Sequence, residues 1–158
     1  MDTSLSAGQI LARGVRRHLR RGLNFQSLEE FVPVTGVRTD IFAIGPKGEI
    51  WIVECKSSRA DFTSDSKWQN YLDYCDQFFW AVDSRFPHEL LPQDTGLIFA
   101  DKHDAEIIRW GQVRQLAAPR RRRLTLKFAR NAAERHHSLA RSMERERFRL
   151  RSGDLSGE

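Results

Sequence analysis

Only two of the 158 residues are cysteine, too few for the disulfide framework of a small secreted domain. Cys55 in an apolar run and Cys75 in an expected helix read as reduced thiols of a cytosolic protein. No stretch approaches the roughly 20 apolar residues of a membrane span, and Met1 to Leu23 lacks the apolar block of a signal peptide. Internal repeats and low-complexity linkers are missing, as are a Gly-rich phosphate loop, a zinc spacing, and any Ser-His-Asp or Cys-His arrangement. His136 and His137 are adjacent, so on a helix they point about 100° apart and do not share a metal. What is present suffices for a core: 40% of residues are apolar and 30% charged, which suits a single domain over 1–158.

The net charge of +5 conceals a partition. Residues 1–21 balance at +4, residues 22–110 at −7 and residues 111–158 at +8. Arginine supplies 21 of the 26 positive charges, and its planar fork suits phosphate oxygens better than an ammonium does.

Apolar spacing predicts a helix from Ser4 to Arg21, with Leu5, Ile10, Leu11, Val15 and Leu19 on one side and Gly22 to end it. Ser27 to Val34 reads as a strand that Pro33 pushes towards an edge. Arg38 to Ile44 and Glu49 to Lys56 are apolar runs joined by Gly45-Pro46-Lys47-Gly48, a hairpin signal. The second run is apolar on both faces, as a central strand should be. Ser64 or Asp65 is placed to cap a helix through about Asp76. Gln77 to Val82 follows as a strand, Phe86 to Pro92 as one helical turn, and Gly96 to Ala100 with Ala105 to Trp110 as a second hairpin. Arg121 to about Arg149 reads as a long basic helix. The fold class is therefore α/β.

Charges at positions where burial is expected are the functional candidates. Asp40 interrupts an apolar strand, and Glu54 and Lys56 end its partner, projecting to one face while Cys55 points away. Folding through the Gly45–Gly48 turn brings Asp40 level with Val53 or Glu54, and a one-residue bulge would set it directly opposite Glu54. Two carboxylates this close repel unless a cation lies between them. Oxygen ligands of this kind suit Mg²⁺ or Mn²⁺, with the Cys55 backbone carbonyl as a further donor and substrate phosphate completing the shell. Lys56 is placed to orient or deprotonate the attacking water. That set of groups fits phosphodiester hydrolysis. A plainer alternative is an Asp at a strand end beside a surface Glu–Lys pair, worth about 0–1 kcal/mol.

Asp40, Glu54 and Lys56 resemble the Asp…Glu-x-Lys motif of the PD-(D/E)XK nuclease superfamily, whose core runs helix, three strands, helix, strand. A closer resemblance is to the MmcB-like DNA-repair family. It is carried by Arg38-Thr39-Asp40, the run from Gly48 to Ser58, Asp61-Phe62, Asp65-Ser66-Lys67-Trp68, Tyr74-Cys75-Asp76 and the run from Gly96 to Asp101. The resemblance implies a restriction-endonuclease-like core (α-β-β-β-α-β) over about residues 5–83, extended by a C-terminal β-hairpin to give a nuclease-like core region of 5–110, and by a basic helix over 120–151. It also implies a role in DNA repair and metal-dependent nuclease activity. Many superfamily members carry an acid on the first helix; here Gln9 or, on the following strand, Glu30 is the substitute, Glu30 as a metal ligand. Thr39 stands before Asp40, where the motif's proline is displaced. Lys67 and Gln69, beyond the triad, match positions that related nucleases use to hold phosphate near the scissile bond.

The basic flank gives the remaining expectations. Arg120, Arg121, Arg122, Arg123, Lys127 and Arg130 head a run that suits DNA, and six phosphate contacts would give log affinity against log salt a slope of about −5. Branched, damaged or single-stranded DNA fits a repair role, and charge alone does not separate DNA from RNA. A homodimer through the long helix, unnamed repair-pathway protein partners and a cytoplasmic, bacterial-type, nucleoid-associated location complete the picture, with no membrane partner. The reading of another class is a non-catalytic DNA-binding or recruiting module that keeps the nuclease fold.

Overall fold

A computed structural model describes residues 4–153. The chain divides into two compact units, Met1–Thr125 and Leu126–Glu158.

Helix α1 spans Ala7–Leu23. Ser6 starts it with a reciprocal cap: Gln9 N–H donates to Ser6 Oγ (3.2 Å) and Ser6 N–H to Gln9 Oε1 (2.8 Å). Gln9 is therefore a capping residue at the exposed start of the helix. The expected stop at Gly22 is corrected by two positions: Asn24 adopts the left-handed conformation (φ 57°) and its N–H bonds back to the Leu19 carbonyl. Leu11, Val15 and Leu19 form the buried stripe. Gly14 sits among them because the turn beyond Ala100 comes so near that a β-carbon there would lie 1.9 Å from the Asp101 carbonyl oxygen.

Six strands form one sheet in sequence order: β1 (Gln26–Val34), β2 (Val37–Ile44), β3 (Ile50–Cys55), β4 (Gln77–Val82), β5 (Gly96–Ala100) and β6 (Ala105–Arg109). The β3–β4 and β4–β5 pairs are parallel and the other three antiparallel. Every residue of β3 and β4 is buried, as continuous apolar runs require of central strands, while β1 with Pro33 is an edge. One side of the sheet packs Ile41, Ala43, Trp51, Val53, Phe79 and Ile98 against α1.

The β3–β4 crossover covers the other side, and here the structure departs from the expected helix. Ser58, rather than Ser64 or Asp65, caps a short α2 (Arg59–Thr63), accepting from Asp61 N–H at 3.1 Å. Ser64 Oγ instead donates to the Asp61 carbonyl and closes that turn. A 3-10 helix, Trp68–Tyr74, follows. Its aromatics Trp68, Tyr71 and Tyr74 recur every third residue, the spacing that aligns side chains in a 3-10 helix. Trp68 and Tyr71 both rest on Phe78, with ring centroids 5.8 and 6.0 Å away.

Helix α3, Ala118–Gly153, begins in the first unit. Its start is tied to the sheet by Asp76, which accepts from Ile50 N–H (2.7 Å), Leu116 N–H (2.8 Å) and both Arg121 guanidinium nitrogens. Both cysteines are unbridged and buried. Among the described residues no helix is long and apolar enough to cross a membrane.

Candidate functional site

The β2–β3 hairpin builds the centre by register alone. Ile41 pairs with Val53, so Asp40 stands level with Glu54 without the bulge that the hairpin was expected to need. Strand alternation turns Ile41, Val53 and Cys55 towards α1 and Asp40, Glu54 and Lys56 to the opposite face. Each carboxyl accepts a main-chain N–H from the opposite strand. Asp40 N–H donates to Glu54 Oε1 at 2.9 Å, and Cys55 N–H donates to Asp40 Oδ2 at 2.8 Å.

Burial, and then the neighbouring Asp40 charge, pushes Glu54 up from 4.5 to about 9. Asp40 is also raised, by burial first, against the pull of the Cys55 N–H and of Glu54. Without a cation, then, burial and the neighbouring acid hold Glu54 in its protonated form at neutral pH. The donor set is hard oxygen: two carboxyls and, beside them, the Cys55 carbonyl, which is the chemistry that Mg²⁺ and Mn²⁺ select. Among the described residues no three His, Cys, Asp or Glu side chains gather as metal ligands. Glu30 lies level with Asp40 between the pairs Glu29–Ile41 and Phe31–Thr39. It is exposed, with left-handed backbone (φ 51°), a conformation that costs a non-glycine residue on the order of 1–2 kcal/mol. Asp40 and Glu54 form the two-carboxyl centre, with Glu30 level with them on β1.

Lys56 brings in two residues that strand patterning did not assign to it. Its Nζ lies 2.9 Å from Asp65 Oδ2 and 3.9 Å from Asp61 Oδ1, and 6.0 Å from the centre of the Trp80 ring. Burial works against the ammonium, but the Asp65 hydrogen bond and the charges of Asp65, Asp61 and Glu54 outweigh it and hold the Lys56 pKa above its ordinary value. Lys56 is therefore a fixed cation. Asp65, expected as a helix cap, also accepts from Lys67 N–H (3.0 Å). Tyr71 completes the surround. Its hydroxyl donates to the Arg38 carbonyl (3.1 Å), and burial, with the charges of Glu54, Asp65 and Asp40, raises its pKa. The signal that points to Asp61 and Asp65 is their place just past the carboxyl end of a central strand; the sequence pattern gives none for Tyr71.

The other candidates are more scattered. Lys67 and Gln69 are exposed on the crossover that carries Asp65. Arg121, expected at the DNA surface, is committed to Asp76 and to the Gly48 carbonyl (2.9 Å). Arg120 donates to the Asp73 carbonyl (3.0 Å) and lies over the Tyr74 ring. Arg122 and Arg123 are exposed, and in the second unit so are Lys127 and Arg130.

Comparison with curated proteins gives no match. Among solved structures, the SPO1766 protein of unknown function from Silicibacter pomeroyi is similar to this chain, with 56% identity over 89% of this chain and 94% of that one and a TM-score of 0.84. The profile of the MmcB-like family, described as DNA repair protein MmcB-like, matches residues 1–143. A match of that extent places the chain in the MmcB-like family of DNA-repair proteins.

Proposed function

We propose that this protein is a metal-dependent DNA phosphodiester hydrolase of repair, built on a restriction-endonuclease-like core of α1, β1–β3, the crossover and β4. The observation that carries the reading is the Asp40–Glu54 pair, two buried carboxyls level on adjacent strands, with Glu54 pushed up to about 9. Such a pair is poised to exchange a proton for a cation. Its position also fits, at the carboxyl ends of parallel strands where open α/β sheets place their ligands.

When bound, Mg²⁺ or Mn²⁺ polarises a phosphate oxygen and acidifies water. Asp40, Glu54 and the Cys55 carbonyl are the groups that would hold such an ion. Lys56, kept charged by Asp65 and Asp61, acts as a cation rather than a base: it orients the attacking water and faces the charge that develops on the phosphate. Lys67 and Gln69 engage neighbouring phosphates, and Arg122 and Arg123 extend that contact. DNA is the substrate that the family's repair role favours.

The test is hydrolysis of supercoiled and branched DNA in Mg²⁺ or Mn²⁺. Asp40→Ala and Lys56→Ala should each lower the rate at least about 100-fold; cleavage unchanged in both variants would sink the proposal. A second reading, a DNA-binding module without catalysis, draws on the absence of a third clustered carboxylate among the described residues. Salt-dependent DNA binding without calorimetric uptake of Mn²⁺ would favour it.

A further inference from the structure

Helix α1 turns Leu11, Val15 and Leu19 to the core, and its other side is arginine. Arg13, Arg16, Arg17, Arg20 and Arg21 line a groove of about 310 Å³ against the first residues of β1. Arg16 anchors the wall: it donates to Ser27 Oγ (3.0 Å) and to the Ser27 carbonyl (3.1 Å), and lies 3.5 Å from Glu29. The other four make no ion pair or side-chain hydrogen bond among the described residues. Arg20 and Arg21 stand in the last turn, where they complement the helix dipole. Arg13 and Arg17, in the middle, have no such role. Arg13, Arg17 and Arg21 form one i, i+4 row that rises about 6 Å per step. Four guanidiniums held side by side on a helix fixed by its core face repel one another, and a polyanion relieves that repulsion by direct pairing and counterion release.

We infer that this groove is a second binding site for the phosphodiester backbone of DNA, separate from the Asp40–Glu54 centre. The inference rests on the DNA-binding part of the proposed function and not on its hydrolytic part. Because α1 packs on the side of the sheet opposite Asp40, Glu54 and Lys56, the groove and the carboxyls face opposite sides of the sheet. The groove therefore takes a different segment from the one at the carboxyls, as a second arm of a branched DNA would supply.

The experiment is fluorescence anisotropy of the full chain with a labelled four-way junction, in metal-free buffer between about 50 and 200 mM salt. The combined variant R13Q/R17Q/R20Q/R21Q should flatten the slope of log affinity against log salt by about 3 to 4 and weaken binding at least about tenfold. The matching Arg→Lys variant should keep most of the slope, and a thermal melt confirms that both fold. A Gln variant whose slope stays within about half a unit of wild type overturns the inference. So does a loss confined to polyglutamate binding, which would assign the groove to an acidic protein segment. No metal enters the readout, so a failure of hydrolysis and a failure of this site are told apart.

Discussion

Two buried acids stand at opposite ends of the same pair of parallel strands, and their surroundings treat them in opposite ways. Asp76, at the amino ends of β3 and β4, receives two backbone N–H groups and a two-pronged guanidinium. Burial raises its pKa, but Arg121, Leu116 and Ile50 together outweigh burial and hold it below the ordinary carboxylate value. Glu54, at the carboxyl end of β3, faces a second acid, and the nearest ammonium is shared with Asp65 and Asp61. The first acid has its counter-charge within the protein; the second keeps its proton instead. Burial is common to both, so it is the number of donors aimed at each carboxyl that separates a structural acid from one available to chemistry.

The contrast breaks most visibly at the structural end. Asp76→Ala leaves Arg121 and two amides without their acceptor and should cost about 3 kcal/mol in urea denaturation. Because the folded pKa of Asp76 is lowered, its contribution is present above the ordinary carboxylate range and lost as pH falls through the lowered value. The gap between wild type and Asp76→Asn should therefore narrow in melts below about pH 4.

At the other end the sign reverses. The folded state keeps a proton on Glu54 that the unfolded chain releases near 4.5, so metal-free stability should fall as pH rises from there to about 9. The slope is at most about 1.4 kcal/mol per pH unit. Glu54→Gln should flatten that slope and abolish stabilisation by Mn²⁺, both read from melting temperature against pH. A variant that kept the full slope would assign the raised pKa elsewhere.

The smallest expected effect lies between the two ends. Asp65→Asn removes the main partner of Lys56 and should cost about 1 kcal/mol. It should also lower the Lys56 pKa, which NMR titration of the ammonium would show. An unmoved pKa would mean that Asp61 and Glu54 alone hold the charge.

The triad was legible in the sequence because its geometry is local. Alternation places Glu54 and Lys56 on one face, and the short Gly45–Gly48 turn narrows the partner of Asp40 to Val53 or Glu54, of which the folded register selects Glu54. The crossover was not legible. Whether residues 59–74 form one helix or two short pieces depends on Trp68 and Tyr71 meeting Phe78 on a strand still to come, and on Ser58 outcompeting Ser64 as a cap. Arg121 shows the same limit more sharply. Among four consecutive arginines nothing marks the one that will find Asp76, 45 residues earlier in the chain. Asp65 was read from local propensity as a cap, and only the folded crossover turns it towards Lys56.

Where β2 and β3 part beyond the Ile41–Val53 pair, carboxyl oxygens receive the Asp40 and Cys55 amides. The two acids are therefore also stitches in the seam between the strands. A ligand that draws them towards itself pulls on that seam, and the exchange rates of two main-chain protons become a record of whether the centre is filled. The clasp that closes the hairpin would then be the same object as the hand that takes the ligand.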